Sequence, residues 1–320
     1  MLQRKMMTRK MIKWECMASA IDPLAETGAS NGSKSVSRHS SVVYRAGVSP
    51  YSLGFFSPFL SLWRNRTLVW TMGKRDVAVR YRGSFGGLLW SILNPLLLLA
   101  VYTFAFGYIM GSPESRKSLS AMAQFTFNLF TGLIVFNFFS ECLNRAPGLI
   151  LGNANYVKKV VFPLENFCWI AIGSALFNLL MSLAILLTAL GFFAHGVFWT
   201  ALLSPLILLP LVLMTAGLVW FLSSLGVYIR DVGQIIGIVT MVLMFLCPIF
   251  YPDSSLPLWV KRLFALNPLT FPVDSLRQVL LKGNFPGWAA LSIYGIASLI
   301  VAYLGFVWFQ KTRKGFADVL

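Results

Sequence analysis

An all-α membrane protein is what this sequence predicts: six transmembrane helices, an N-terminal cytoplasmic amphipathic helix, and an outer re-entrant helical hairpin between spans five and six. Three observations carry that prediction. Long stretches hold no charge: Gly83–Met110 is 28 residues without Asp, Glu, Lys or Arg, and Asn166–Ile229 is 64. About 20 apolar residues suffice to cross hydrocarbon. The whole chain is 57% hydrophobic and 12% charged, with a mean hydropathy of +0.71, against roughly 25% charged residues in soluble domains. Lastly, Arg80 and Arg82 stand immediately outside the first uncharged run, as at the cytoplasmic end of a membrane helix.

The net charge of +16 raises nucleic acid as a partner, but its placement argues against one. Residues 1–82 hold 14 Lys or Arg and four Asp or Glu, so +10 of the total precedes the first span. A polybasic flank facing anionic lipid accounts for this better than a groove for DNA.

Taken in order, residues 1–55 read as a basic, disordered tail. Met-rich and then Ser- and Gly-rich, they lack the apolar core of a secretory signal. GASNGSKS at Gly28–Ser35 imitates a phosphate-binding loop, but Ser33 stands where glycine must precede the lysine. The transmembrane domain is expected over 56–320. Across 59–77, Phe59, Leu62, Trp63, Val69, Trp70, Gly73 and Val77 share one side at helical spacing, with Arg64, Asn65 and Arg75 opposite. That predicts an amphipathic helix in the inner interface, with Arg66 snorkelling to headgroups or meeting a partner.

Spans are expected at about 83–110, 118–141, 164–193, 198–227, 232–251 and 288–310, with Ala194-His195-Gly196 breaking the longest run. Thirteen Lys or Arg after Leu62 fall in the segments so assigned to the cytoplasm and six in the opposite ones. Both termini are therefore expected inside. Between spans five and six, residues 254–284 hold two short apolar helices, Leu256–Leu266 and Phe271–Lys282, joined at Asn267-Pro268. Pro272 suits a first turn, and Val273, Leu276, Val279 and Leu280 share a face. Each is too short to span, which predicts the re-entrant hairpin.

No residues support catalysis. His39 and His195 have nothing to pair with, and Cys16, Cys142, Cys168 and Cys247 show no metal-ligand spacing. Glu141 and Glu165 are membrane-edge carboxylates expected to be neutralised by Arg145 or Lys158. Gly83/Gly87 and Gly233/Gly237 form small-xxx-small pairs that permit close helix packing.

Four blocks, in order, resemble one family. They are RDVAVRYRGSFGGLLWSILNPLLLLAVYTFAFG, NANYVKKVVFPLE at Asn153–Glu165, VYIRDVGQIIGIVTMVLMFLCPIFYP at Val227–Pro252, and LNPLTFPVDSLRQVLL at Leu266–Leu281. Together they look like the polysaccharide and polyol-phosphate exporter permeases of the ATP-binding-cassette superfamily, over about 59–312. The first ~55 residues have no counterpart there, and Cys247 stands where Ser or Thr is usual.

The resemblance implies a homodimer in the bacterial cytoplasmic membrane, with two copies of a separate ATPase subunit and a lipid-linked glycan as substrate. The chain itself would bind no cofactor and catalyse nothing. It further implies that 59–77 is a gate helix carrying Trp63, Arg66 and Trp70. Arg80, Tyr81 and Arg82 become the substrate entrance. The segment 146–160 becomes the ATPase coupling segment, with Asn153, Asn155, Tyr156, Lys158 and Lys159. Asn267, Pro268 and Arg277 belong to the outer hairpin. Aromatic rings stack on the apolar face of a pyranose, and the first two spans offer Tyr102, Phe104, Phe106, Tyr108, Phe125, Phe127 and Phe130; of these Tyr102, Phe106 and Tyr108 are the candidate channel lining. Alternatives are a related exporter for drugs or lipids, and a membrane enzyme acting on polyprenol-linked sugars. The latter would need clustered intramembrane Asp, His or Arg.

Overall fold

The computed structural model describes residues 57–81, 87–105, 119–159, 162–193, 196–249, 264 and 267–320, and no strand occurs among them. The chain divides into two units, Met1–Gly47 and Val48–Leu320, and every described residue lies in the second. The basic tail, its GASNGSKS segment and the helix expected at 256–266 (Phe264 apart) therefore lie outside the described residues.

The amphipathic segment forms two helices, α1 (Ser57–Arg64) and α2 (Arg66–Tyr81). Backbone bonds run through the turn between them, from the Asn65 N–H to Ser61 and from the Val69 N–H to Asn65. The helical segment thus starts earlier and ends a turn later than the expected 59–77. Leu62, Leu68, Val69 and Met72 pack against the core, whereas Trp63 and Trp70 are 71% and 66% exposed. Each tryptophan lies one residue, about 100°, round from an inward aliphatic. Amphipathic rings favour the membrane interface over a packed core. Arg66 lies 5.2 Å over the Trp63 ring and Lys74 4.7 Å over Trp70.

After a 3-10 turn at Gly87–Leu89 comes α3 (Trp90–Tyr102), then α4 (Leu119–Arg145), α5 (Gly148–Leu151), α6 (Ala154–Lys159) and α7 (Asn166–Phe193). A 3-10 turn at Trp199–Leu203 leads into α8 (Ser204–Tyr228), followed by α9 (Val232–Phe245), α10 (Thr270–Leu281), α11 (Trp288–Thr312) and α12 (Phe316–Val319). Four stretches are long and apolar enough to cross a membrane: Ala123–Arg145, Asn166–Phe192, Trp199–Tyr228 and Trp288–Val319. They coincide with the expected spans two, three, four and six. Trp90–Ala105 and Val232–Phe245 are shorter apolar helices at the positions of spans one and five. α4 runs four residues beyond the end expected for span two, and the segment 146–160 forms α5 and α6.

The centre is α8, whose side chains are buried along most of its length. A Cβ on Gly305 would collide with the Gly217 carbonyl, and one on Gly217 with the Val301 carbonyl. At this crossing two backbones touch, which only glycine permits. Trp220 is 1% exposed and sits edge-on to both Trp169 and Phe306, each at 5.2 Å. The glycines that meet main chain most closely are Gly217, Gly305 and Gly226, the last against Pro147. Gly233 and Gly237 have open space where a Cβ would stand, because α9 turns that side outward. Along α10, Val273, Leu276, Val279 and Leu280 are buried together and Pro272 occupies the first turn, as the spacing predicted.

Candidate functional site

Asp76 and Arg80 stand four residues apart on α2, and Glu141 and Arg145 four apart on α4, so each pair shares a helix face. The two faces meet in a ladder of alternating charge. Arg80 Nη2 reaches Glu141 Oε1 at 2.5 Å, and Arg145 Nη2 reaches the two Asp76 oxygens at 2.8 and 3.0 Å. Arg145 Nη1 lies 3.8 Å from Glu141 Oε1 and donates to Ser174 Oγ at 2.6 Å. Asn178 on α7 donates to the other Glu141 oxygen at 3.0 Å. About a quarter to a third of each charged side chain remains exposed, so solvent screens the ladder only partly.

Beyond the ladder opens a cavity of about 500 Å3 between α3, α4 and α7. Arg80 and Glu141 line one end. Ser91 and Asn94 come from α3, Asn137 from α4, and Asn178 and Ser182 from α7, with Trp90, Leu98, Phe130 and Ile134 as apolar wall. Asn137 lies one turn, about 6 Å, along α4 from Glu141 into the expected span. Carboxamides at that depth are costly in hydrocarbon and mark a polar route or ligand.

A second cavity of about 250 Å3 lies beside the ladder, between α2, α5, α6 and the start of α7. Tyr156 lines it, and its ring packs against Phe162 and Phe167 at 5.4 and 5.6 Å. Asn153 bonds back to the Leu149 carbonyl at 2.9 Å. Asn155 is exposed, and the side chains of Lys158 and Lys159 lie outside the described residues. Tyr156 thus fastens the segment to α7, a role its position in the sequence did not indicate.

Glu165, at the start of α7, pairs with Arg313 at 2.8 Å and accepts a bond from Ser61 Oγ at 3.2 Å. That partner lies 148 residues away in the sequence, Glu141 lies beside Arg145, and the Lys158 side chain is outside the described residues. The Trp220 indole donates to the Glu165 backbone carbonyl at 3.2 Å.

Far from these groups, Arg277 of α10 reaches three backbone carbonyls. Nε donates to Asn128 at 3.0 Å, Nη1 to Pro248 at 2.6 Å and Nη2 to Ile249 at 3.2 Å. Burial pulls this guanidinium below its ordinary pKa, opposed by Asp274 at 3.6 Å. Gly132 leaves the space, since its Cβ would lie 3.2 Å from Ile249 and 3.3 Å from Arg277. Asn267 donates to the Leu243 carbonyl at 3.2 Å and accepts from the Leu269 N–H at 2.9 Å, which fixes the turn into Pro268.

Of the remaining expected site residues, Tyr81 ends α2 with its side chain outside the described residues; Arg82, Phe106 and Tyr108 lie wholly outside them. Tyr102 is half-buried and packs against the core. Phe127 is buried, Phe130 borders the large cavity, and Phe104 is 60% exposed. Sequence reasoning missed Asp76, Asn94, Asn137 and Asn178; for the three asparagines, uncharged polar residues inside apolar runs were the available signal. Among the described residues no three His, Cys, Asp or Glu side chains come together as a metal site.

The sequence profile described as ABC-2 type transporter matches residues 67–281. The O-antigen export system permease protein RfbA of Myxococcus xanthus is 26% identical over 259 residues, covering 80% of this chain and 96% of that protein. Its namesake in Klebsiella pneumoniae is 26% identical over 276 residues, 84% of this chain and 98% of that protein. The polysialic acid transport protein KpsM of Escherichia coli is 26% identical over 245 residues, 75% of this chain and 91% of that protein.

Proposed function

This chain belongs to the ABC-2 type transporter family, and from that premise we propose that it is the membrane subunit of an exporter for lipid-linked polysaccharide. It is a transport subunit and not an enzyme, as its relatives are. In this reading two copies join in the bacterial cytoplasmic membrane, each crossing it six times with both ends inside. ATP is bound and hydrolysed by two copies of a cassette ATPase on that side, and this chain holds no cofactor.

One observation carries the reading: the likeness to export permeases runs through nearly the whole length of those proteins, 96% and 98% of the two RfbA chains. The geometry agrees with it. Arg80 stands where an anionic lipid carrier would enter, between the interface-lying α2 and a polar cavity. The aromatic contacts of Tyr156 join α6, the coupling segment in this reading, to α7. On α9, Ile235, Ile238, Met241, Val242 and Phe245 are exposed beside the open Gly233 and Gly237, an apolar face suited to the second copy.

Purifying the tagged chain from its own membranes tests this. A cassette ATPase should copurify, the isolated chain should hydrolyse no ATP, and Lys158→Glu with Lys159→Glu should reduce export about tenfold or more by reversing charge at the coupling segment. Intrinsic ATP hydrolysis by the chain, or full export by the double variant, would refute it.

A further inference from the structure

We propose that the cavity between α3, α4 and α7 is a carbohydrate subsite. It binds the first sugar of a lipid-diphosphate-linked substrate through Asn94, Asn137 and Asn178, while a substrate phosphate takes the place of Glu141 on Arg80. This deepens the exporter reading and rests on it.

Asn94 and Asn137 have exposed side chains and make no side-chain hydrogen bond among the described residues. Each sits on an apolar helix facing the same cavity. An amide turned toward lipid without a partner is disfavoured, so these positions call for a polar occupant. Carboxamides both donate and accept, as sugar hydroxyls do. Three of them, from three helices, with Ser91 and Ser182 between, surround one volume. Trp90 on its wall offers an aromatic face for the apolar side of a pyranose. At about 500 Å3 the cavity lies in the usual range for small-ligand sites, about 300–1,000 Å3.

The anion of the same substrate follows from the ladder. Glu141 Oε1 meets Arg80 at 2.5 Å, and carboxylate and phosphate oxygens are interchangeable partners for a guanidinium. Glu141 therefore holds the position a substrate phosphate would take on Arg80. Asn178, which donates to Glu141 at 3.0 Å, stands beside that position on the same cavity wall. Phospholipid satisfies the Arg80 anion position but brings no pyranose to the carboxamides beyond it.

The test uses the permease–ATPase complex in nanodiscs and two radiolabelled probes, farnesyl-diphosphate-linked N-acetylglucosamine and plain farnesyl diphosphate. Asn94→Leu and Asn137→Leu should each weaken the sugar-bearing probe about fivefold, one hydrogen bond's worth, and leave the plain probe unchanged. Asn137→Gln should recover part of the loss. Glu141→Gln should tighten both probes. Both asparagines are exposed, so the leucine variants keep their packing, and melting temperatures check this. Equal loss on both probes, no loss on either, or phosphatidylglycerol competing as well as the sugar probe would each overturn the subsite. Wild-type complex that binds neither probe brings down the exporter reading itself, which separates the two failures.

Discussion

The two ends of the helical bundle are held by different chemistry. At the Arg80 end, charges meet charges: Asp76, Arg145, Glu141 and Arg80 alternate across α2 and α4, and Glu165 meets Arg313 across α7 and the chain's last turns. At the Arg277 end, one guanidinium grips three main-chain carbonyls, Thr200 donates to the Val279 carbonyl at 2.6 Å, and Asn267 donates to that of Leu243. A carboxylate in an ion pair is replaceable by any competing anion. A backbone carbonyl at the end of a helix has no substitute and cannot leave. The difference teaches where this molecule can change partners and where it is locked, and the exchangeable end is the one that opens onto the polar cavity.

The comparison breaks most decisively at Arg277. Arg277→Ala removes three hydrogen bonds to main-chain carbonyls, each contributing roughly 1 kcal/mol, so a loss of about 3 kcal/mol is expected in thermal unfolding of the solubilised protein. Arg277→Lys should recover only part, since an ammonium lacks the planar fork. A melting point unchanged in the alanine variant would remove the distinction between the ends. A smaller effect sharpens it. In a double-mutant cycle of Asp76→Asn and Arg145→Gln, the coupling should be about 0.5–1 kcal/mol and should shrink with added salt, as befits a partly exposed pair. Salt-insensitive coupling would make this end as locked as the other. The smallest expected effect is none: deleting residues 2–50, which precede the part matched by the family profile, should leave export in cells intact.

The apolar runs disclosed the long helices because length against hydrocarbon thickness is a strong constraint. The face of α10 was equally legible, since Val273, Leu276, Val279 and Leu280 alternate with polar neighbours such as Asp274, Arg277 and Gln278. Contrast of that kind disappears inside the spans. Lipid and protein interior are both apolar, so no periodicity tells which side of α8 or α11 is packed, and the Gly217–Gly305 crossing looks no different from the open Gly233/Gly237 spacing. The same reasoning put Trp63 and Trp70 on one side with Leu62 and Val69; hydrophobicity alone does not separate a residue seeking the interface from one seeking the core. The site suffered most. Arg80 was conspicuous as a charge at a membrane edge, but Asn94, Asn137 and Asn178 are single polar letters on three helices, and only folding makes them neighbours. Likewise nothing local links Glu165 to Arg313.

The turn at Ala146-Pro147 abuts Gly226 of α8 so closely that no side chain would fit between them, and α8 in turn lies bare-backboned on α11 at Gly217 and Gly305. A push on α5 and α6 consequently meets no cushion of flexible side chains to absorb it. Main chain bears on main chain at two successive contacts, Pro147 on Gly226 and Gly217 on Gly305, so a displacement of the turn before α5 would be handed on by backbone rather than by yielding side chains.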